Sequence, residues 1–157
     1  MKRRVLASGL TLALALFAMS FKGCPSDSAA DNDPRRKAAK AGDDIAGSVS
    51  AMIKLKRELA KQGQITKEED LTLTNALLKL NSADKVFVTT LKSLKGTPDA
   101  ASKTNLANLF GAVTSAISDL NTNGVLGVKN PDARTKLTNI LNAINASAQI
   151  IAGFLQS

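Results

Sequence analysis

The side chains of this chain that could do chemistry are carboxylates that stand next to one another, and these form two short runs. One run is Asp43 and Asp44, and the other is Glu68, Glu69 and Asp70. The 157 residues contain no His, no Tyr and a single Cys, so they offer no imidazole base, no phenolic acid and no thiolate–imidazole metal site. Both runs are expected near helix starts, where the helix dipole favours negative charge. The sequence therefore predicts no enzyme: no catalytic residue, no metal site and no cofactor.

The single cysteine, Cys24, lies at the end of a segment with the features of an export signal. Residues 2–4 are basic, and the apolar run over 5–19 has the length of a secretory h-region, which is too short to span a bilayer comfortably. Gly23 followed by Cys24 resembles the end of a bacterial lipoprotein signal, in which the cysteine is acylated and becomes the first residue. The resemblance implies lipid attachment at Cys24 and membrane anchoring in the bacterial cell envelope.

A second processing route stays open in the same segment. Ala18-Met19-Ser20 places small residues where a soluble-export peptidase needs them, which would leave Phe21 first and the protein periplasmic or secreted. An uncleaved membrane stub is a third outcome. The polar stretch 25–32 is typical of a flexible tether. The predicted organisation is a lipoprotein-like signal peptide over 1–23, a tether over 24–33 and one folded domain over 34–157.

The composition of the domain favours an all-α fold. Aromatic residues make up only 3% of the chain against 44% hydrophobic residues, so the core is expected to consist of Leu, Ile, Val and Ala. Apolar residues recur at helical spacing in four segments, predicted near 34–62, 66–95, 98–122 and 131–155. Their similar lengths and short connections predict an antiparallel up-down-up-down four-helix bundle.

Local signals set the predicted helix boundaries. Gly63 is expected to terminate the first helix, and Thr66 with Glu69 forms a capping box at the start of the second. Thr97 is expected to cap the third helix ahead of Pro98, a pattern that recurs in outline at 130–132. Two glycines and two aspartates weaken the start of the first helix, so its well-formed part is predicted to begin near Asp44. The second helix is expected to be continuous through 81–84, with a kink there as the alternative.

The charge pattern argues against a nucleic-acid partner. The net charge of +8 falls to +4 from Cys24 onward, where 17 basic residues face 13 acidic ones, and no aromatic stacking platform accompanies them. The densest basic cluster is Arg35-Arg36-Lys37 with Lys40. It is interpreted either as a solvated helix start or as a group near anionic headgroups at a membrane.

The fourth predicted helix has no charged residue after Lys136, a stretch of 21 positions. Opposite its apolar stripe lies a polar row, which comprises Thr138, Asn142, Asn145 and Gln149. Three interpretations remain open: amides buried in a central helix, an interaction surface, or a membrane-active face. The candidate interaction surface consists of Asn142, Asn145, Gln149, Ile150 and Phe154.

These observations predict a non-catalytic helical bundle that is exported and membrane-tethered. Its expected role is that of an interaction or structural module of the cell envelope. Its expected partners are the membrane, through lipid on Cys24, and either another protein or a second copy of the chain in a homo-oligomer. The alternatives are a membrane-active protein that uses the uncharged C-terminal helix, and a carrier of small apolar ligands.

Overall fold

The computed structural model describes residues 33–94 and 98–157, and the secondary structure of these residues is entirely helical. The helices are α1 (Pro34–Lys61), α2 (Lys67–Ser93), α3 (Ala100–Asp119) and α4 (Pro131–Gln156), and a π-helical turn, Leu120–Val125, follows α3. Helix α1 packs against α2 and α4, α2 packs against α3, and α3 touches α4 over a smaller area. The predicted all-α class with four helices is therefore confirmed over the described ranges.

One hydrophobic core joins the four helices. Its fully buried large side chains are mostly Leu and Ile, as the composition predicts. The aromatic contribution is a contact between Phe87 of α2 and Phe110 of α3, whose ring centroids lie 5.7 Å apart. The largest fully buried side chains are Ile45, Met52, Leu59, Leu73, Leu77, Leu80, Phe87, Leu91, Leu106, Leu120, Leu137 and Ile144.

The turn between α1 and α2 follows the predicted signals. Gly63 has a φ of +68°, a conformation that costs glycine little because it has no Cβ. At the start of α2, the Glu69 backbone N–H donates to Thr66 Oγ1 at 3.2 Å, and the Thr66 N–H donates to Glu69 Oε2 at 2.7 Å. The predicted capping box is confirmed, and α2 is continuous through 81–84.

The start of α3 differs from the prediction. Asp99 is the N-cap, because its Oδ1 accepts a hydrogen bond from the Ser102 N–H at 2.8 Å, so Pro98 lies outside the helix. At the start of α4, by contrast, the cap is Asn130, which accepts from the amides of Asp132 and Ala133, and Pro131 is the first helical residue. The two starts are similar in sequence but use caps at different positions. Thr97 lies outside the described residues.

Two further expectations about helix boundaries are wrong. Helix α1 is formed from Pro34 rather than from Asp44, because Asp33 accepts from the Arg35 N–H at 2.9 Å and Pro34 suits the first helical position. Asp43 and Asp44 consequently lie within α1 and not at a helix start. Helix α3 ends at Asp119 instead of 122, since the chain widens there into the π-helical turn.

The apolar segment after α3 closes one end of the core. Val125 and Val128 are fully buried, whereas Leu126 between them is 56% exposed. The Lys129 N–H donates to Glu69 Oε1 at 2.9 Å, which ties this segment to the start of α2. The segment therefore folds over the end of the core.

Candidate interaction surface

The polar row of α4 lies on the outside of the domain. Asn142, Asn145 and Gln149 are exposed, and Thr138 is half-buried with its hydroxyl donating to the Arg134 carbonyl at 2.9 Å. The opposite side of α4 supplies the core with residues that include Leu141 and Ile144. The interpretation that these amides are hydrogen-bonded inside a central helix is therefore wrong.

The two apolar members of the candidate surface differ in exposure. Ile150 is 52% exposed and directly follows the exposed Gln149 in the helix. Phe154 is half-buried and packs against the edge of the core. The outer face of α4 therefore presents neutral amides together with one large apolar side chain.

Helix α3 extends this uncharged surface. No charged residue occurs between Lys103 and Asp119, and most of that stretch is exposed. The small residues Ala107, Gly111 and Ser115, which follow one another at four-residue spacing, all face solvent. The absence of charge in this part of α3 is visible in the sequence. Its position beside the uncharged part of α4 depends on the fold.

A shallow groove runs between α3 and α4. Two adjoining hollows of about 290 and 360 Å³ share Thr114, Asn145 and Ala148 in their linings. Ile117 lies at one end of the groove and Ala152 at the other. All of the side chains that line the two hollows are uncharged. We call this groove, with the exposed faces of α3 and α4 on either side, the α3–α4 face.

A second exposed apolar feature lies on α2. Leu71 is 60% exposed, Leu78 is 59% exposed and Val86 is 49% exposed. Both leucines lie outside the buried face of α2. Unlike the α3–α4 face, this stripe is accompanied by charges: Lys79 next to it forms a 2.9 Å ion pair with Asp119.

The carboxylate runs of the sequence have structural partners. Asp43 pairs with Lys92 at 2.8 Å, and Asp70 pairs with the buried ammonium of Lys56. Burial alone would raise the pKa of Glu69, but hydrogen bonds from the backbone N–H groups of Thr66 and Lys129 outweigh this effect and lower it. Among the described residues, no three His, Cys, Asp or Glu side chains are grouped closely enough to hold a metal ion.

Sequence reasoning missed Asp84, whose residue surface is only 2% exposed. It lies on the side of α2 that faces α1, and its Oδ1 has no hydrogen-bond partner among the described residues. Burial is the main cause that raises its pKa to about 7, the nearby charge of Asp43 adds to the effect, and Lys92 opposes it. Because Asp84 faces a closely packed helix and not a cleft, it is not placed to act on a substrate.

The basic cluster at the start of α1 is mostly solvated. Arg36, Lys37 and Lys40 are exposed. Arg35 is half-buried, and its guanidinium donates to the carbonyl of Leu94 at the end of α2. A hollow of about 490 Å³ at this end of the domain is lined by residues from α1, from α4 and from the chain around the start of α3. Its lining residues are Asp33, Pro34, Arg35, Pro98, Lys103, Phe154 and Ser157.

The predicted lipid attachment site, Cys24, and the whole export signal lie outside the described residues. Within the ranges 33–94 and 98–157, no helix is both long and apolar enough to cross a membrane.

Comparisons with protein-family models, with curated proteins and with solved structures give no match to this chain.

Proposed function

We propose that this protein is a non-catalytic, membrane-tethered helical bundle of the bacterial cell envelope that works by binding through its α3–α4 face. The observation that carries this proposal is the position of the two longest charge-free stretches of residues 34–157, which lie side by side and are largely exposed. Interface centres are depleted of charged residues, since a buried charge loses its hydration. A surface with no binding role has no such reason to lack charge over two neighbouring helices.

The finer architecture that we propose is up-down-up-down. The start of α1 contacts the end of α2 through Arg35 and Leu94, and the end of α1 contacts the start of α2 through Lys56 and Asp70. Phe154, near the end of α4, shares a hollow with residues at the start of α3. These contacts support alternating helix directions. In such an arrangement α3 and α4 are neighbours, and together they present one face.

The tether is proposed on the sequence of the first 33 residues. The basic, apolar and small residues before Cys24 support export, and the polar stretch after it supports a flexible link to the domain. In the membrane fraction of the native host, mass spectrometry should find acyl mass on an N-terminal Cys24 peptide. Cys24→Ala should release the protein from the membrane or leave its precursor uncut. A mature N-terminus at Phe21 would contradict tethering and would mean that the protein is exported in soluble form.

The binding role is tested by placing charge on the α3–α4 face. Asn142→Lys combined with Gln149→Lys adds two exposed ammonium groups, which should leave the thermal melt nearly unchanged. The double variant should lose the complexes that the wild-type protein forms, either with a second copy or with another envelope protein, measured by chemical cross-linking in cells and by sedimentation of the purified protein.

The matched control is the pair Asn75→Lys and Asn81→Lys, which changes two exposed asparagines of α2 to the same residue. Because Asn75 lies beside Leu71 and Leu78, the control also tests the apolar stripe of α2. Loss of association in the control but not in the α4 variant would move the binding surface to α2. Unchanged association in both variants would contradict a binding role for the α3–α4 face.

A further inference from the structure

Helix α1 lies close to α2 at Gly42. A Cβ atom added to Gly42 would stand 2.2 Å from Cγ2 of Val88, so no side chain fits between the two helices at this point. Valine has a stiff χ1 in a helix, which limits how far it can move aside. The backbone of α1 therefore rests directly on the side chains of α2.

Asp84 lies at this crossing. Its Oδ1 is 3.5 Å from the position that a Cβ of Gly42 would occupy, and the atom has no hydrogen-bond partner in the part of the chain described. The charged groups whose fields reach it are Asp43 of α1, which repels a carboxylate, and Lys92 of α2, which attracts one. Asp43 and Lys92 are already paired with each other at 2.8 Å and are both exposed. An ionised Asp84 would be a buried charge with no hydrogen bond to Oδ1.

This part of α1 buries only small side chains. Its buried residues before Ile45 are Ala38, Ala41 and Gly42, which bury little apolar area compared with the Ile, Val, Met and Leu side chains further along the helix. The hydrogen bond from Arg35 to the Leu94 carbonyl and the exposed Asp43–Lys92 pair connect it to α2. Segments with few buried apolar contacts open locally at a lower free energy than the core does.

We propose that residues 34–44 form a pH-dependent strap, which is docked on α2 while Asp84 is protonated and is released when Asp84 loses its proton. Protonation removes the buried charge and leaves the close α1–α2 contact intact. Ionisation leaves a charge that only water can solvate, and water reaches Asp84 only when the strap lifts. Burial raises the pKa of Asp84 to about 7, so this change falls near neutral pH.

The direction follows from proton linkage. The docked state binds the proton of Asp84 more tightly than the open state, in which the hydrated carboxyl has its ordinary pKa of 3.8. The opening equilibrium constant of the strap therefore increases as the pH rises from about 4 to about 7, and it stays constant at higher pH. Between pH 5 and pH 8 the opening equilibrium constant should rise roughly 100-fold. Because the strap joins residues 1–33 to the rest of the domain, opening also lengthens the chain between Cys24 and the α3–α4 face.

Amide hydrogen exchange of the full processed protein tests this inference. After correction for the intrinsic pH dependence of exchange, protection of the amides of residues 38–45 should fall roughly 100-fold between pH 5 and pH 8. Protection of the amides of 144–151 in α4 should stay constant. In Asp84→Asn, and in Asp84→Leu if the first variant does not fold, the protection of 38–45 should be the same at both pH values.

The matched control is Asp44→Asn, which neutralises an exposed carboxylate on the same segment and should keep the pH response. A carbon-13 titration of the wild-type Asp84 carboxyl should show a midpoint near 7. A midpoint near 4, protection of 38–45 that does not change with pH, or a response that persists in Asp84→Asn would overturn the proposal. Equal loss of protection in 38–45 and in 144–151 would also overturn it, since that result means opening of the whole domain.

Discussion

At the scale of single residues, two glycines of α1 that look equivalent in the sequence have different roles in the packing of the helix. The chain has Gly42 and Gly47 within one helix, and both lower helix propensity in the same way. In the fold, Gly42 is pressed against Val88. At Gly47, apart from the adjoining backbone of α1 itself, nothing lies within 4 Å of the place where a Cβ would stand. The first glycine is required by packing, and the second has no such role.

This contrast gives a matched pair of variants. Gly42→Ala should lower the free energy of unfolding by about 1 to 3 kcal/mol, because the new methyl group displaces Val88 or separates the helices. Gly47→Ala should raise it by about 0.5 to 1 kcal/mol through helix propensity alone. Urea denaturation of both variants measures the difference, and equal effects would contradict the close crossing at Gly42.

The buried carboxyl of Asp84 predicts a pH dependence of global stability. Its pKa is raised in the folded state, so the stability associated with the protonated group is lost as the pH rises towards 7. The loss between pH 5 and pH 8 should be about 2 to 3 kcal/mol. The lowered pKa values of Asp99 and Asp119 act in the opposite direction, but their effect occurs below pH 5.

Urea denaturation at several pH values measures this slope. Asp84→Asn should remove this pH dependence. The difference in the free energy of unfolding between the variant and the wild-type protein should therefore shift in favour of the variant from pH 5 to pH 8. A wild-type stability that is constant or rising over this interval would show that Asp84 is hydrated in the folded protein.

The ion pair between Lys56 and Asp70 predicts an asymmetric response to its two partners. The Lys56 side chain is 8% exposed, whereas the Asp70 side chain is 36% exposed. Asp70→Ala leaves a buried ammonium without its carboxylate and should cost about 1 to 2 kcal/mol. Lys56→Met replaces the buried cation by an apolar side chain of similar length, and its cost in thermal or urea denaturation should be smaller. The reverse order would mean that Lys56 is solvated.

At the scale of whole elements, the sequence predicts helices best where the signal is local. The Thr66–Glu69 capping box and the Gly63 turn depend on residues within a few positions of each other, and both are found as expected. The start of α3 was misplaced because Thr97 and Asp99 are both good caps, and only the three-dimensional path of the chain selects Asp99. The burial of Asp84 could not be predicted either, since it depends on how closely α1 crosses α2.

The cap of α3 can be tested by replacing Asp99. Asp99→Ala should lower the free energy of unfolding by about 1 kcal/mol, because the Ser102 N–H loses its acceptor. Asp99→Asn keeps a side-chain oxygen at the same place and should retain most of the stability. If both variants are as stable as the wild-type protein, Asp99 is not the residue that begins the helix.

The sequence identifies the α4 residues of the candidate surface, but it does not show whether they are exposed or which helix lies beside them. The lack of charged residues after Lys136 is visible in the sequence. The lack of charged residues in α3 between Lys103 and Asp119 is also visible, but it indicates a binding surface only because the fold places this part of α3 next to α4. Exposure of Asn142, Asn145 and Gln149 could not be predicted, since a charge-free helix with amides fits a buried position equally well. The groove between the two helices is a product of packing.

At the scale of the whole molecule, the proposed mode of action depends on two features. One is the α3–α4 face, and the other is the N-terminal segment that precedes α1. A tether beginning at Cys24 would hold the domain near the membrane and raise the local concentration of partners in the same layer. Binding through the α3–α4 face then requires no catalytic group. The pH-dependent strap would adjust the reach of that face from the membrane.

The most direct test of the binding face is site-specific photo-cross-linking in cells of the native host. A photoreactive amino acid at position 145, within the groove, should give a discrete cross-linked product that contains this chain. The same amino acid at exposed position 75 on α2 should give none, and Gln149→Lys should abolish the product from position 145. Cross-linking from position 75 but not from position 145, or equal cross-linking from both, would contradict the assignment of binding to the α3–α4 face.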